Sequence, residues 1–145
     1  MTIELDEIDR KIIEILKKDA RKPFTNIGKD LGISDATVHV RIKKLIDEGV
    51  IKGYTVDVDR SILGRGICGF ALLKVKPGQI EKVAKSLVNE EDISAVYELH
   101  GPSDLLIKVD VKDLDELREK MLKIRKMSKV TASELITVLK TWKEE

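Results

Sequence analysis

The chain has 145 residues, 42% hydrophobic and 37% charged, with a formal net charge of +1; this is the composition of a packed globular protein, one domain or two small ones, and not of a disordered or fibrous chain. The single Cys68 excludes an internal disulfide framework, and the longest nearly apolar run, 67–73, is far short of a membrane span; with no secretory pattern after Met1, the expected compartment is the cytoplasm and no membrane partner is expected. Ten basic and ten acidic residues fall in 1–50, and fourteen of each in 66–145, so a nucleic-acid footprint must come from local placement of charge and not from net charge.

In chain order, Asp6 is placed to cap a first helix, with Asp9 near its third position and Ile8, Ile12, Ile15 and Leu16 at helical spacing up to about Asp19. Pro23 interrupts the chain; Thr25 is read as the cap of a short second helix through Leu31, and Gly32 suits the left-handed residue that ends it. Ser34 caps a third helix, which Gly49 ends. Three short helices, the last two joined by a turn of about four residues containing glycine, carry the signature of a helix-turn-helix. Residues 50–59 (VIKGYTVDVD) are β-rich and broken at Gly53, which predicts a small hairpin, or wing, followed by an extended hinge. Beyond the junction 61–66 come a strand 67–76, a helix 80–89, strands 94–100 and 105–111, a helix 114–126 and a strand 130–139. The order βαββαβ is the ferredoxin-like, split-βαβ arrangement. The fold class is therefore α+β, with a winged helix-turn-helix domain over 1–53, a hinge over 54–65 and a ferredoxin-like domain over 66–145.

In the first strand of that domain Ile67, Ala71, Leu73 and Val75 point to one face and Cys68, Phe70 and Leu72 to the other, so both faces want cover. The two helices cover one, and no element of the chain is left for the second. A second copy of the sheet is the obvious lid, which predicts a homodimer through the C-terminal half.

The third helix, within ISDATVHVRIKKLIDEGVI, poses a different question. Val38, Ile42 and Leu45 form one stripe, yet Ala36 and Val40 lie near the middle of the opposite, wet face beside Lys43, Lys44 and Asp47. Ile27, Gly28, Leu31, Gly32, Ile33 and Val38 match the helix-turn-helix pattern together, and in that motif the start of the second helix enters the major groove of double-stranded DNA. Ala36 and Val40 then lie against thymine methyl groups, Thr37 and His39 offer hydrogen bonds, and Lys43 and Lys44 face phosphates. Arg41, at the edge of the buried stripe, is placed equally for a salt bridge within the fold or for DNA. With the helix start, the DNA-binding set is Ser34, Asp35, Ala36, Thr37, His39, Val40, Arg41, Lys43 and Lys44.

An enzyme or metal protein is a poorer reading. His39, His100 and Cys68 share no ligand spacing, no nucleophile or phosphate-loop motif is present, and no acid, base and nucleophile converge. No catalytic residue, metal or cofactor is expected. The segment 99–104 (LHGPSD) reads on its own as a hairpin turn. Few Gln and Asn against many Lys and Glu give the bias of a heat-tolerant protein.

These motifs together resemble the Lrp/AsnC family of bacterial and archaeal transcription regulators, also called feast/famine regulatory proteins. The resemblance rests on Leu5-Asp6-Glu7-Ile8-Asp9, Asp19-Ala20-Arg21, the run from Thr37 to Leu45, Gly49-Val50-Ile51-Lys52-Gly53-Tyr54, Leu63-Gly64, and Gly101 with Asp104. It implies an N-terminal DNA-binding domain and a C-terminal domain that senses effectors and dimerises sheet to sheet, with assembly up to octamers. It also implies that small ligands, usually amino acids, bind between dimers near the turn 101–104. There Asp104 would accept an ammonium group, and backbone N–H groups around Gly101 and Ser103 would meet a carboxylate. Two positions depart from the family pattern: Arg60 stands where Pro is common, and Pro102-Ser103 replaces acidic or aromatic residues in the turn. The competing expectation is a ferredoxin-like ligand-sensing or protein-interaction module without specific DNA binding.

Overall fold

The computed structural model describes residues 3–144, which divide into two compact units at the boundary between Asp57 and Val58. The division falls inside the stretch read as a hinge.

The first unit contains α1 (Glu7–Lys18), α2 (Phe24–Leu31) and α3 (Asp35–Asp47). Asp6 and Asp9 form a reciprocal capping box at the start of α1: Asp6 Oδ1 accepts from the Asp9 N–H at 2.8 Å, and Asp9 Oδ2 from the Asp6 N–H at 3.2 Å. Ile12 and Leu16 of α1, Ile27 of α2, and Val38, Ile42 and Leu45 of α3 are buried together as the core of this unit. The cap of α2 is Pro23 and not Thr25: the Pro23 carbonyl accepts from the Asn26 and Ile27 N–H groups, so the helix begins at Phe24. Starting there lets Phe24 pack onto the core, while the expected Thr25 lies inside the helix.

Among the described residues no strand lies between α3 and the first sheet strand, so the expected hairpin and wing over 50–59 do not form. The reason is local. Gly49, at φ 71°, donates to the Ile46 carbonyl and Val50 to that of Leu45, which closes α3 in a Schellman motif; Ile51 also donates to Leu45. Val50 and Ile51 thus finish the helix and pack on its core instead of entering a ladder.

The second unit holds β1 (Ile67–Val75), α4 (Ile80–Leu87), β2 (Ile93–Glu98), β3 (Leu105–Val111), α5 (Leu114–Arg125) and β4 (Val130–Thr137). The sheet is antiparallel in the order β2-β3-β1-β4, the ferredoxin-like topology. Ala71, Leu73 and Val75 of β1 and Leu105, Ile107, Val109 and Val111 of β3 face α4 and α5, whose Val83, Leu87, Leu117, Met121 and Ile124 complete the core.

On the other face Phe70, Leu72 and Leu106 are half-buried while Tyr97 and Ile136 are exposed. This face is not bare throughout, as the sequence led us to expect. Arg60 pairs with Asp110, and Glu144 with Lys108, so two segments flanking the sheet bury that end of it. Asp110 is only 4% exposed and Lys108 8%. Burial raises the Asp110 carboxyl pKa, but the Ser94 hydroxyl and the Arg60 guanidinium outweigh it and hold the group below its ordinary value. The Cys68 thiol, beside Asp110 on the same face, is pushed up by burial and by that carboxylate.

Candidate nucleic-acid interface

The interface is built on how closely α2 and α3 approach. Gly32 adopts φ 68°, open to glycine at no steric cost, and the Ile33 N–H returns to the Gly28 carbonyl at 3.0 Å. Gly28 sits directly under the turn. Ser34 then starts α3, its Oγ accepting from the Thr37 N–H at 3.1 Å and lying 2.7 Å from Thr37 Oγ1. Ser34 and Thr37 are therefore first a cap, with the Thr37 hydroxyl turned toward Ser34.

With Val38, Ile42 and Leu45 buried, the opposite face of α3 is fixed. Ala36, Val40, Lys43 and Lys44 are exposed on it, and Val40 is 68% accessible, an apolar side chain in water at the centre of the face. His39 lies toward α2, where its ring meets Phe24 edge-on at 4.5 Å, and its Nε2 is 3.9 Å from the Asp35 carboxylate. Phe24 was not singled out from the sequence. Its aromatic character is the one signal that it could support a ring on the next helix. Lys43 reaches Asp47 at 3.3 Å in an exposed i,i+4 pair that is weak and readily exchanged.

Arg41 points the other way. Its Nη1 donates to Asp6 Oδ2 at 2.6 Å and to Asp9 Oδ1 at 2.8 Å. Of the two roles left open by the sequence, the structure engages this side chain in the salt bridge. The Asp9 N–H first, and Arg41 second, hold the Asp6 carboxyl below its ordinary pKa, while both aspartates raise that of Arg41.

In the second unit, Gly101, Ser103 and Asp104 lie in the turn between β2 and β3. Gly101 is exposed, with open space where a side chain would project. Asp104 is tied into the sheet: Oδ2 accepts from the Val75 N–H at 2.7 Å, its N–H donates to Leu73 O at 2.9 Å, and its carbonyl accepts from Leu99 at 2.8 Å. One carboxylate function of Asp104 is thus structural, at the point where the β1–β4 register shifts between Lys74 and Val75. Among the described residues no helix is long and apolar enough to cross a membrane, and no group of three or more His, Cys, Asp or Glu is placed to hold a metal ion.

Two family models match the chain, an AsnC-type helix-turn-helix domain over residues 5–46 and an Lrp/AsnC ligand binding domain over residues 68–145. The chain is 42% identical over 144 residues to the HTH-type transcriptional regulator FL11 of Pyrococcus abyssi, covering 99% of this chain and 95% of that protein. It is 36% identical over 141 residues to the HTH-type transcriptional regulator LysM of Sulfurisphaera tokodaii, covering 96% and 98%. Among solved structures it matches Escherichia coli AsnC with a TM-score of 0.92 at 26% identity, over 99% of this chain and 97% of that one. The transcriptional regulator NMB0573 of Neisseria meningitidis, solved as a complex with L-Met, shares the fold with a TM-score of 0.91 at 20% identity, over 97% and 94% of the two chains. With both of its units matched and with relatives at these identities spanning nearly its whole length, the chain belongs to the Lrp/AsnC family of transcription regulators, which are DNA-binding proteins and not enzymes.

Proposed function

We propose that this regulator reads DNA through the exposed face of α3, with Ala36 and Val40 against thymine methyl groups, Thr37 and His39 at base edges, and Lys43 and Lys44 on phosphates. Ser34 and Asp35 present the start of that helix, and its positive end faces the DNA backbone. The observation that carries this reading is Val40, a large apolar side chain exposed in the middle of a face whose neighbours are lysines. Two such helices act together in a homodimer formed through the outer sheet face, where Phe70, Leu72, Leu106, Tyr97 and Ile136 offer the apolar surface to be covered. The dimer works in the cytoplasm and assembles further, up to an octamer. An amino-acid-like effector binds at the turn holding Gly101, Ser103 and Asp104. The FL11 and LysM relatives, both named transcriptional regulators, support the DNA-binding part of this reading.

Selection of duplexes from a random-sequence pool, followed by gel shift, tests it. Enrichment of a pseudo-palindrome with half-sites about one helical turn apart, or a multiple of that, is expected. Failure to enrich any sequence would remove the base-reading assignment.

A further inference from the structure

We propose that Arg41 is a positioning residue for DNA recognition: by clamping the capping box of α1 it fixes the angle at which α3 presents its reading face. The inference rests on the reading of α3 as the base-contacting helix. What carries it is that the four carboxylate oxygens of the box are all assigned. Asp6 Oδ1 and Asp9 Oδ2 each accept a backbone N–H from the other residue, and the two remaining oxygens, Asp6 Oδ2 and Asp9 Oδ1, both go to Nη1 of Arg41. A local device that starts one helix is thus the receptor for a side chain of another, 32 and 35 positions away.

The clamp is shielded on its Asp9 side: the Asp9 side chain is 7% exposed and that of Arg41 26%, against 52% for Asp6, so the Arg41–Asp9 attraction is screened by salt less than that of the surface lysines. It also lies next to the reading face. Arg41 lines an open groove of about 550 Å³ whose walls include Glu4 and Asp6 on one side and Ala36, Thr37, Val40 and Lys44 of α3 on the other. The distance between these walls depends on how α3 is set against the start of α1, and the Arg41 clamp is the charged tie across that gap.

Base and phosphate contacts respond differently to a change in that angle. A short apolar contact such as Val40 against a methyl group is lost by a small displacement, whereas a lysine on its long flexible stem follows a phosphate. Loosening the clamp should therefore reduce sequence preference and spare general affinity.

The test uses Arg41→Met, which keeps an unbranched apolar stem, and Asp9→Asn, whose amide oxygen still accepts the Asp6 N–H but whose charge is gone. Asp9 lines the same groove but is only 5% exposed, so its substitution acts mainly through the groups its carboxylate holds, the Arg41 guanidinium and the Asp6 N–H. Affinities are measured for a duplex enriched by the wild type and for a scrambled duplex of equal composition, over a salt series. Both variants are expected to lower the ratio of the two affinities, Arg41→Met by about tenfold or more and Asp9→Asn by less because Asp6 still holds Nη1, with scrambled-duplex affinity and salt slope unchanged. Residual dipolar couplings of the free full-length protein should report a change in α1–α3 angle in the same direction in both.

A loss on both duplexes with the slope reduced by about 0.9 would make Arg41 a phosphate contact and overturn the proposal. So would a normal ratio in Asp9→Asn beside a reduced one in Arg41→Met, or a lower melting temperature with an unchanged ratio. A wild type that does not discriminate between duplexes removes the base-reading assignment. The couplings then judge the clamp alone, and unchanged couplings overturn it.

Discussion

Between Gly28 and the carbonyl oxygen of Ile33 there is no room for a methyl group: a Cβ on Gly28 would lie 2.6 Å from that oxygen. The obstructing atom is backbone and cannot rotate aside, so α2 and the turn would have to separate. Gly28→Ala gains about 1 kcal/mol of helix propensity, but overpacking of this kind typically costs about 1–3 kcal/mol. We expect a net loss of stability in urea unfolding of the first unit, and a larger loss of DNA affinity because the α2–α3 geometry opens. An alanine variant with wild-type stability and DNA binding would show that the crossing has slack.

Val40 and Lys44 lie four residues apart on the same exposed face, yet their loss should be read differently. Val40→Ser should relax preference at particular base pairs by about 1–3 kcal/mol while leaving random DNA unaffected. Lys44→Ala should weaken all duplexes similarly and lower the salt slope by about 0.9. Fluorescence anisotropy titrations on selected and random duplexes at several salt concentrations separate the two. Equal losses on both duplexes for Val40→Ser would contradict base reading at that position.

The structural role of Arg60 is ionic: it faces the buried Asp110 on the outer sheet face. Asp110 has its carboxyl pKa lowered on folding, so it contributes stability that is present above its unfolded value, about pH 4, and is lost as pH falls through the folded one. Arg60→Ala leaves that carboxylate buried without its guanidinium partner and should cost about 3 kcal/mol at neutral pH. The deficit should shrink as pH falls through the folded pKa of the unpaired Asp110, which burial sets above that of the paired one, and vanish once the wild-type carboxyl is protonated as well. Asp110→Asn is the milder change, about 1–2 kcal/mol, because the Arg60 side chain is 43% exposed and can turn to water. Chemical denaturation of the two variants between pH 3 and 7 checks both the order and the pH trend; a pH-independent Arg60→Ala deficit would rule out the ionic account.

The parts of the fold legible in the sequence were those written in nearest neighbours. Ser34 as a cap, Asp6 with Asp9 at the start of α1, Gly32 as the left-handed stop and the alternation through β1 all depend on residues within a few positions, and the structure realises each. The strand Leu105–Val111 is legible end to end because it is rich in apolar and β-branched residues and follows a turn segment. Tertiary competition accounts for the differences. Thr25 is as good a cap as Ser34 by residue type, but the packing of Phe24 starts the helix earlier. The pattern YTVDVD alternates like a strand, yet among the described residues no strand forms there. The exposed face of α3 could be derived from periodicity, whereas the engagement of Arg41 could not, because its partners lie 32 and 35 residues away. Asp104 was legible as an acidic turn residue; that its carboxylate also holds a backbone amide of β1 was not, since that contact spans 29 residues.

That amide contact decides how the turn 101–104 is to be tested as an effector site. Replacing Asp104 with alanine removes two things together, the acceptor for the Val75 N–H and the negative charge that would meet an ammonium group. Asp104→Asn separates them, because its side-chain oxygen still accepts from Val75 while the charge is gone. Leaving the part-buried Val75 N–H unsatisfied should cost Asp104→Ala about 1–3 kcal/mol, seen as a lower melting temperature. Asp104→Asn should melt close to wild type yet lose any amino-acid effect on oligomer size or DNA affinity, a coupling typically worth about 1–3 kcal/mol. Calorimetric titration with a panel of amino acids, paired with light scattering, measures both. An asparagine variant that keeps the full amino-acid response would confine Asp104 to shaping the turn and move the effector site elsewhere.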